Sequence, residues 1–362
     1  MPSFWDFTPT ELCERLAEFG EPAYRADQLC RWAYQRFARG YGEMTDLPAR
    51  LRDRLETELP LATAPAIAEQ RSRDGSTRKA LLRLDGGTTV ESVLMEYDPS
   101  EQSRARATVC VSTQAGCAMG CVFCATGQQG FLRNLSAGEI TQQALHFARE
   151  LQTRGERTTN VVFMGMGEPL ANYAATLRAV RILSDPLAFA LGQRRITVST
   201  VGLVPQIHRL ATEGLQIGLA VSLHSPDDAL RHELVPAGHF SVAEIVAAAD
   251  HYAAATGRRY TVEYALIDRT NDSLALARDL ATLLHGRACH VNLIPLNPTA
   301  NGQLRRPSRQ RVLAFERALR EGGVNVTVRV EKGVEIAAAC GQLRGDAEGR
   351  RAPVVVAVPV AP

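Results

Sequence analysis

Three cysteines lie close together in this sequence of 362 residues, with a spacing suited to metal binding. Cys117, Cys121 and Cys124 form a CxxxCxxC segment. Three thiolates in so short a loop can each ligate one iron of a [4Fe-4S] cluster. Because electron-transfer clusters use four cysteines, three leave one iron open, by the logic that separates catalytic from structural zinc sites. The segment therefore predicts an iron–sulfur site that binds a further ligand.

Two other interpretations of these thiols stay open. Zinc sites usually combine two CxxC-type pairs, and this sequence has no second pair. Buried cysteines without a metal behave as small core residues. The position of the segment, directly after a predicted strand over residues 107–112, favours the iron–sulfur site over both.

Short β-branched runs alternate with helical patterns along most of the chain. A capping box at Ser136 and Glu139 marks the start of one helix. Strands separated by helices indicate a parallel sheet. Six such units predict an α/β fold with a partial (β/α)6 TIM-like barrel, and a doubly wound sheet is the alternative. The predicted strands cover residues 107–112, 160–164, 195–200, 217–222, 260–266, 290–295 and 324–330.

Polar and small residues cluster just past the carboxyl ends of these strands. Active sites of parallel α/β folds gather at that edge of the sheet, so the pattern predicts a shared ligand pocket. Each residue alone is more typical of a turn or a helix cap. The residues concerned are Gly167, Glu168, Ser199, Ser222, Leu223, His224 and Asn297.

The first part of the chain has a different pattern. Residues 8–60 show the apolar spacing of helices, and a hairpin turning at residues 85–87 is predicted to follow. We therefore predict an accessory domain over residues 1–95, a barrel over 96–345 and a tail over 346–362.

Composition excludes several classes of protein. The chain is 45% hydrophobic and 22% charged, which is typical of a folded globular protein and excludes extensive disorder. No apolar run approaches the roughly 20 residues that span a bilayer, and the N-terminus lacks the layout of a signal peptide. We expect a cytoplasmic protein without membrane insertion, whose eight cysteines do not form structural disulfides.

The basic residues are almost all of one kind. Of 41 basic residues only Lys79 and Lys332 are lysines, although the net charge is only +2. Arginine suits phosphate contacts and base stacking, whereas codon bias in a GC-rich genome explains the same composition. The charge is therefore compatible with a nucleic-acid partner and does not demonstrate one.

The CxxxCxxC segment resembles that of the radical S-adenosylmethionine (SAM) superfamily. The resemblance implies that the open iron chelates the amino and carboxylate groups of SAM, whose reductive cleavage gives a 5′-deoxyadenosyl radical. It also implies a partial TIM-type barrel. Gly167 and Glu168 then correspond to the segment that meets the SAM amino group. Further SAM contacts implied by the resemblance are Ser199, Ser222, Leu223, His224 and Asn297.

Longer segments resemble the RlmN/Cfr-type RNA methyltransferases, over nearly the whole chain. They include YRADQLCRWAY, VVFMGMGEPLANY, STVGLVP, LAVSLHSPDDALR, VNLIPLNP and AAACGQLRGD. The resemblance implies methylation of adenine C2 in the peptidyl-transferase centre of 23S rRNA and of the adenosine 3′ of the tRNA anticodon. It further implies two SAM molecules per turnover, an electron donor such as flavodoxin, and a monomer.

The same resemblance implies roles for Cys340, Cys110 and Glu91. Adenine C2 is too electron-poor to attack the methyl group of SAM directly. Cys340 instead accepts a methyl group as a thiolate, and its methylene radical then adds to C2. Cys110 attacks Cys340, so that a disulfide forms and the product leaves. Glu91 corresponds to the base that removes the C2 proton. Alone, the two cysteines would be core residues and Glu91 an exposed strand carboxylate.

Four alternatives to C2 methylation remain. Cfr-type relatives methylate C8. The sequence departs from the family pattern at residues 237–240 and in the apolar end of the tail, 353–362. These departures are compatible with a divergent paralogue that has another RNA target. A binding protein without turnover would not need the resolving Cys110. Radical chemistry on a small metabolite would leave the N-terminal domain without a role.

Overall fold

The computed structural model describes residues 3–61, 64–99, 105–297, 299, 303–329, 332–343 and 345. The predicted tail over 346–362 and the last residue of the predicted strand over 324–330 lie outside the described residues.

The N-terminal unit is helical, as the spacing of residues 8–60 predicts. Thr8 and Glu11 form a capping box around Pro9 at the start of the first helix. Because each side chain bonds the other's backbone N–H, the helix starts at a defined residue. The helices are α1 (Pro9–Glu18), α2 (Tyr24–Cys30), which continues into a π-helical turn (Arg31–Gln35), and α3 (Ala49–Glu58).

The N-terminal unit packs directly on the rest of the chain. The carboxylate of Asp6 accepts a hydrogen bond from Gly138 N–H at 2.7 Å. Glu11 and Arg178 form an ion pair at 2.9 Å. Trp5 is buried and lies beside Gly138. The first helical turn of the chain is therefore fixed to the helix that begins near residue 137.

Three antiparallel strands follow the helices and join the main sheet. They are β1 (Ala66–Arg71), β2 (Thr77–Arg83) and β3 (Thr89–Tyr97). Next, β4 (Arg106–Cys110) pairs antiparallel with β3. The boundary that the sequence places after residue 95 thus falls inside β3, and the predicted hairpin shares a sheet with the barrel strands.

Strands and helices alternate from here to the end of the described chain. They are β5 (Gln114–Gly116), α4 (Ala125–Gln129), β6 (Phe131–Asn134), α5 (Ala137–Thr153), β7 (Asn160–Phe163), α6 (Tyr173–Ser184), β8 (Ile196–Thr200), α7 (Val204–Ala211), β9 (Gly218–Ser222), α8 (Asp228–Leu234), α9 (Val242–Thr256), β10 (Tyr260–Leu266), α10 (Leu274–Leu284), β11 (Cys289–Pro295), α11 (Arg309–Glu321) and β12 (Val326–Val328). The capping box predicted at Ser136 and Glu139 begins α5.

The order of strands distinguishes a barrel from a doubly wound sheet. The sheet runs β1-β2-β3-β4-β7-β8-β9-β10-β11-β12, and the pairs from β4 onward are parallel. A doubly wound sheet reverses its order part-way, whereas a barrel adds each strand beside the last. The predicted α/β partial barrel is therefore confirmed, with the three-stranded extension β1–β3 before its first strand.

Among the described residues, no helix combines the length and the apolar character needed to cross a membrane.

Replacing Gly138 with alanine should loosen the N-terminal unit. In most helix interiors alanine is more favourable than glycine by roughly 0.5–1 kcal/mol. Here a Cβ would lie 2.9 Å from Asp6 Oδ1 and 3.0 Å from Trp5 Cβ, so the contact must open. We expect faster limited proteolysis within residues 1–60 and a lower melting temperature.

Gly40→Ala is the matched control for this substitution. Gly40 has a φ of −158°, and no heavy atom lies within 4 Å of an added Cβ. Equal protease sensitivity of the two variants would contradict the proposed contact.

Candidate active site

The cysteine loop between β5 and α4 is tightly folded. Cys124 N–H donates to the carbonyl of Cys121 at 3.1 Å. Gly127 lies directly against this turn, where a Cβ would come within 2.8 Å of the Cys121 nitrogen. Only a residue without a side chain allows helix α4 to approach the loop so closely. The backbone therefore holds Cys117, Cys121 and Cys124 on one short turn.

The surroundings of these thiols are apolar. Cys117 and Cys121 are buried, and Cys124 is half-buried. Burial raises the pKa of Cys117 to about 12 and raises the pKa of Cys121 further, with the neighbouring thiols adding to the effect. Residues packed around them include Met119, Val201, Leu234, Val235, Ile267 and Leu296.

These thiols suit an iron–sulfur cluster. Three soft sulfur donors in a desolvated setting need a bound cation to become thiolates, and cluster irons supply that charge. Within the described residues, no group of three or more His, Cys, Asp or Glu side chains, the loop cysteines included, is already gathered around one metal position.

A buried arginine lies behind the cysteine loop. Arg231, on α8, is only 2% exposed and donates to the carbonyl of Val201. Burial lowers the pKa of Arg231, and the nearby Cys121 opposes that shift. Gly238 leaves room for the guanidinium, because a Cβ there would lie 2.7 Å from Arg231 Nη1. This explains the glycine at position 238 in the segment 237–240.

Glu168 is buried at the end of β7 and bonds to the backbone. Its carboxylate accepts hydrogen bonds from Leu170 N–H at 3.0 Å and Val201 N–H at 2.8 Å. Burial raises the pKa of Glu168 to about 7, although these bonds favour the ionised form. Gly167 has a φ of +102°, and a Cβ there would lie 2.6 Å from Gln114 Cβ. The segment is therefore packed closely against Gln114, and the Glu168 side chain holds its backbone in place.

The next two strands contribute hydroxyl groups to one face. Ser199 on β8 and Ser222 on β9 have their oxygens 3.4 Å apart. Ser222 pairs in register with Glu263 on β10, which pairs with Asn292 on β11. Residues paired in register point to the same face of a sheet, so these four side chains form a polar row.

His224 and Leu223 are buried after β9. His224 has a φ of +64°, an uncommon conformation for a residue with a side chain. Its Nδ1 accepts a hydrogen bond from Ala265 N–H at 3.0 Å, so the proton of the neutral ring is on Nε2. Burial lowers the pKa of His224 to about 3. The ring meets Phe123 of the cysteine loop edge-on, with centroids 4.6 Å apart.

A cavity brings together three of the predicted cysteines. Cys110 at the end of β4, Cys124 of the loop and Cys340 of the C-terminal segment all line it. Tyr97 from β3 and Arg329, which directly follows β12, complete its polar wall. Cys110 and Cys340 are separated by more than two hundred residues in sequence, so only the folded chain brings them together.

The thiols of this cavity lie close to a cation. Burial raises the pKa of Cys110 to about 12, Cys340 raises it further, and Arg329 opposes the shift. The pKa of Arg329 lies above its usual range, chiefly because of Cys340. All eight cysteines of the chain are free thiols. The disulfide between Cys110 and Cys340, which the family resemblance implies during product release, is therefore not present in this structure.

The C-terminal segment that carries Cys340 is anchored to the cysteine loop. Gly341 carbonyl accepts from Ala125 N–H at 2.7 Å, and Leu343 carbonyl accepts from the Thr126 hydroxyl at 2.6 Å. Asn297, after β11, donates from Nδ2 to the carbonyl of Cys340 at 3.3 Å. Asn297 thus contacts the Cys340 segment in addition to its predicted place at the strand ends.

Glu91 lies on β3, beneath the same segment. Its side chain is 10% exposed and pairs with Lys79 at 2.8 Å. Its other oxygen accepts from Gly345 N–H at 3.3 Å. Among the described residues that line the cavity, Glu91 is absent. The structure therefore brings Glu91 next to the Cys340 segment without exposing it to the cavity.

Comparisons with known proteins agree with this geometry. Residues 111–280 match the family model described as the Radical SAM superfamily, and residues 3–60 match the model described as "Ribosomal RNA large subunit methyltransferase N-terminal domain". "Ribosomal RNA large subunit methyltransferase N" of Nitrosopumilus maritimus is 51% identical over 352 residues, covering 96% of this chain and 100% of that protein. The chain belongs to the RlmN family of radical SAM RNA methyltransferases.

Two further relatives of this RlmN-family chain have similar lengths. "Probable dual-specificity RNA methyltransferase RlmN" of Chloroflexus aurantiacus is 52% identical over 353 residues, covering 94% of this chain and 92% of that protein. The crystal structure of a radical SAM methyltransferase from Sphaerobacter thermophilus has a TM-score of 0.91 and 51% identity, covering 96% of this chain and 100% of that one. The fold of this chain is thus shared with that solved structure over nearly its whole length.

Sequence reasoning missed several polar residues of the RlmN-family site. Arg231 and Arg329 gave no signal, because arginines occur throughout this chain. Lys79 and Lys332 did carry a signal, since they are its only lysines and both contact the site.

Replacing Glu168 with alanine should destabilise this site before any ligand binds. The buried N–H groups of Leu170 and Val201 would lose their acceptor, and each buried donor left unpaired costs about 1–3 kcal/mol. We expect a lower melting temperature of the metal-free protein by circular dichroism. Glu233→Ala removes an exposed carboxylate from α8 and should leave it unchanged. Equal melting temperatures for both variants would refute the role of Glu168 as a backbone clamp.

Proposed function

We propose that this RlmN-family enzyme methylates C2 of an adenosine in the peptidyl-transferase centre of 23S rRNA, and the adenosine 3′ of the tRNA anticodon. The observation that carries the proposal is the cavity in which Cys110, Cys124 and Cys340 meet. A transfer through a covalent enzyme–RNA intermediate needs an accepting thiol, a resolving thiol and the cofactor loop within reach of one base. The meeting of these three cysteines in one cavity supports such a transfer.

Cys117, Cys121 and Cys124 are the proposed ligands of a [4Fe-4S] cluster with one open iron. The backbone around Gly167 and Glu168 and the polar groups of Ser199, Ser222, Leu223, His224 and Asn297 are the proposed SAM contacts. When bound, the cluster and two SAM molecules per turnover supply the methyl group and the radical that activates it.

Cys340 is the proposed methyl acceptor, and it must react as a thiolate. Arg329 supports this role, since a cation beside a thiol favours its ionised form. The carbonyl of Cys340 is held by Asn297. This bond helps to hold the Cys340 segment at the cavity.

Cys110 is the proposed resolving thiol, and Glu91 the proposed base. Cys110 shares the cavity with Cys340, so its sulfur can attack the Cys340 sulfur, form a disulfide and release the methylated base. Glu91 lies beside the Cys340 segment and outside the cavity lining, and its role in removing the C2 proton rests on the family resemblance. An enzyme that acts on a base must first take it out of its stack, and the target adenine would have to reach the cavity that Cys110 and Cys340 line.

The names of the relatives support the choice of RNA. The Nitrosopumilus maritimus relative is named for ribosomal RNA of the large subunit, and the Chloroflexus aurantiacus relative is described as a dual-specificity RNA methyltransferase, which supports rRNA and a second RNA as substrates. We further propose that the enzyme acts as a monomer in the cytoplasm and receives electrons from a donor such as flavodoxin.

Replacing Cys340 with alanine should abolish methylation, because no thiol remains to accept the methyl group. Wild type and Cys340→Ala are expressed in a strain that lacks the endogenous enzyme, and nucleosides of its 23S rRNA and tRNA are measured by mass spectrometry. We expect 2-methyladenosine with wild type only, and equal iron content in the two purified proteins. Turnover by Cys340→Ala would exclude the covalent route, and 8-methyladenosine from wild type would favour C8 instead.

Replacing Cys110 with alanine should trap RNA on the protein. Without a resolving thiol, the bond between the Cys340 sulfur and the base persists. After anaerobic incubation with SAM, reductant and RNA, we expect a band on a denaturing gel that ribonuclease shifts. Cys289→Ala, a cysteine of β11 outside the cavity, should give no such band. A Cys110→Ala enzyme that releases product normally would remove Cys110 from the mechanism.

A further inference from the structure

Positive charge is concentrated in one stretch of the chain. Residues 268–321 contain nine arginines and five acidic residues, which gives a net charge of +4. Because the whole chain carries only +2, everything outside this stretch has a net charge of −2. The stretch runs from the loop after β10 to the end of α11. The excess of cations therefore belongs to the last units of the barrel.

The loop after β10 and the segment before α11 meet at one edge of the sheet. Asp268, in the loop, donates its N–H to the carbonyl of Arg305 at 2.9 Å. Arg311, in the first turn of α11, pairs with Asp272 at 3.5 Å. Both segments follow the carboxyl ends of parallel strands, which is the edge where active sites of such folds lie. The arginines of the two segments are therefore brought together beside the site.

The segment before α11 also borders the reactive thiols. Leu304 packs against the apolar cluster that includes two of the loop cysteines. Arg306 Nη1 lies 3.5 Å from Asn297 Oδ1, and Asn297 Nδ2 donates to the carbonyl of Cys340. RNA that presents a base to Cys340 would therefore lie close to this segment.

Three exposed arginines of these segments, Arg269, Arg305 and Arg309, form what we call the arginine ridge. The Arg269 side chain is 93% exposed, and its Nε lies 3.9 Å from the carboxylate of the preceding Asp268. Arg305 and Arg309 are exposed, and within the part of the chain that the structure describes their side chains form no ion pair or hydrogen bond. An arginine without a protein partner can offer its whole planar fork to a phosphate group.

A groove between α10 and α11 lies beyond the ridge. The exposed side chains of Arg278 on α10 and Arg317 on α11 line it. Glu321 is the single acidic residue among its described lining residues. Arg309 and Arg317 are eight residues apart on α11, which is about 12 Å along the helix axis. The ridge and the groove thus form a track of cations that leads away from the site.

The shape of this track suits a nucleic-acid strand better than an acidic protein. A strand carries one phosphate charge per nucleotide along its length, so it matches cations spaced along a line. Guanidinium groups bind phosphate through two parallel hydrogen bonds. A globular protein that delivers electrons would instead need a compact contact around the cysteine loop.

We propose that the arginine ridge, together with Arg278 and Arg317 of the groove, binds the phosphate backbone of the RNA on one side of the target adenosine. This inference rests on the proposed function and adds the surface on which the RNA lies. Phosphate contacts fix the position and orientation of a nucleic acid without reading its sequence. The track therefore holds the strand, while the target base is handled in the cavity.

The double variant Arg305→Gln/Arg309→Gln should weaken RNA binding in a salt-dependent way. Phosphate contacts release counterions, so the loss of two contacts should lower the slope of log affinity against log salt concentration by roughly 1.4–1.8. Fluorescence anisotropy with a labelled tRNA at several salt concentrations measures this slope. The affinity should fall by the same factor for an RNA of unrelated sequence. Arg278→Gln/Arg317→Gln should lower the slope as well.

Arg194→Gln/Arg195→Gln is the matched control for these variants. Both arginines are exposed and directly precede β8, so they lie at the opposite edge of the sheet. The control removes the same charge and should bind RNA with the wild-type slope. Methylation of Cys340 by SAM without RNA, measured by intact-protein mass spectrometry, should be equal in all variants. This second measurement separates a lost RNA contact from damage to the site.

Equal salt slopes for Arg305→Gln/Arg309→Gln and the control would overturn the proposal. So would a loss of Cys340 methylation in the ridge variant, which would indicate a structural role. Unchanged RNA binding with slower reduction of the cluster by reduced flavodoxin would assign the surface to an acidic protein instead. A wild-type slope in Arg278→Gln/Arg317→Gln alone would remove the groove from the RNA surface. If the slopes change as expected but wild type forms no 2-methyladenosine, the proposed function fails and the RNA surface stands.

Discussion

The energetic cost of burying thiolates governs the arrangement of this molecule. Cys110, Cys117 and Cys121 are all buried, and burial raises the pKa of each. Metal binding and sulfur nucleophilicity both need the opposite, ionised form. One arginine lies near each of two groups of these cysteines and favours their ionised form. Arg231 lies near Cys121, and Arg329 lies near Cys110 and Cys340. A site that is dry enough to protect a radical can thus still support negatively charged sulfur.

The strands added before the barrel explain how Cys340 reaches this site. β3 extends the sheet beyond β4, the first parallel strand, and provides a surface on which the C-terminal segment lies. Gly333 packs so closely on this surface that a Cβ would lie 2.7 Å from Thr77 Cγ2. The extension β1–β3 therefore provides the surface on which the C-terminal segment packs.

Features that depend on a local sequence pattern could be predicted from the sequence. Contacts that depend on strand register could not. The strand over residues 260–266 is found at the same bounds, because its β-branched and aromatic residues strongly favour a strand. The three loop cysteines lie on one turn because few residues separate them. The pairing of Lys79 with Glu91 needs the alignment of two strands, and the contact of Arg329 with Cys340 needs a long-range fold. Neither has a signature within any short window.

The residues at the strand ends show that a motif locates a site more readily than it assigns a role to each residue in it. Glu168 was expected as part of the segment that meets SAM, and its carboxylate is occupied by two backbone N–H groups. His224 has a strained φ of +64°, and its Nδ1 accepts a hydrogen bond from Ala265 N–H. Such strain persists only where the surroundings impose it, and it is common at ligand sites. These side chains shape the backbone at the edge of the sheet. Replacing either side chain would therefore displace the main chain at this edge of the sheet.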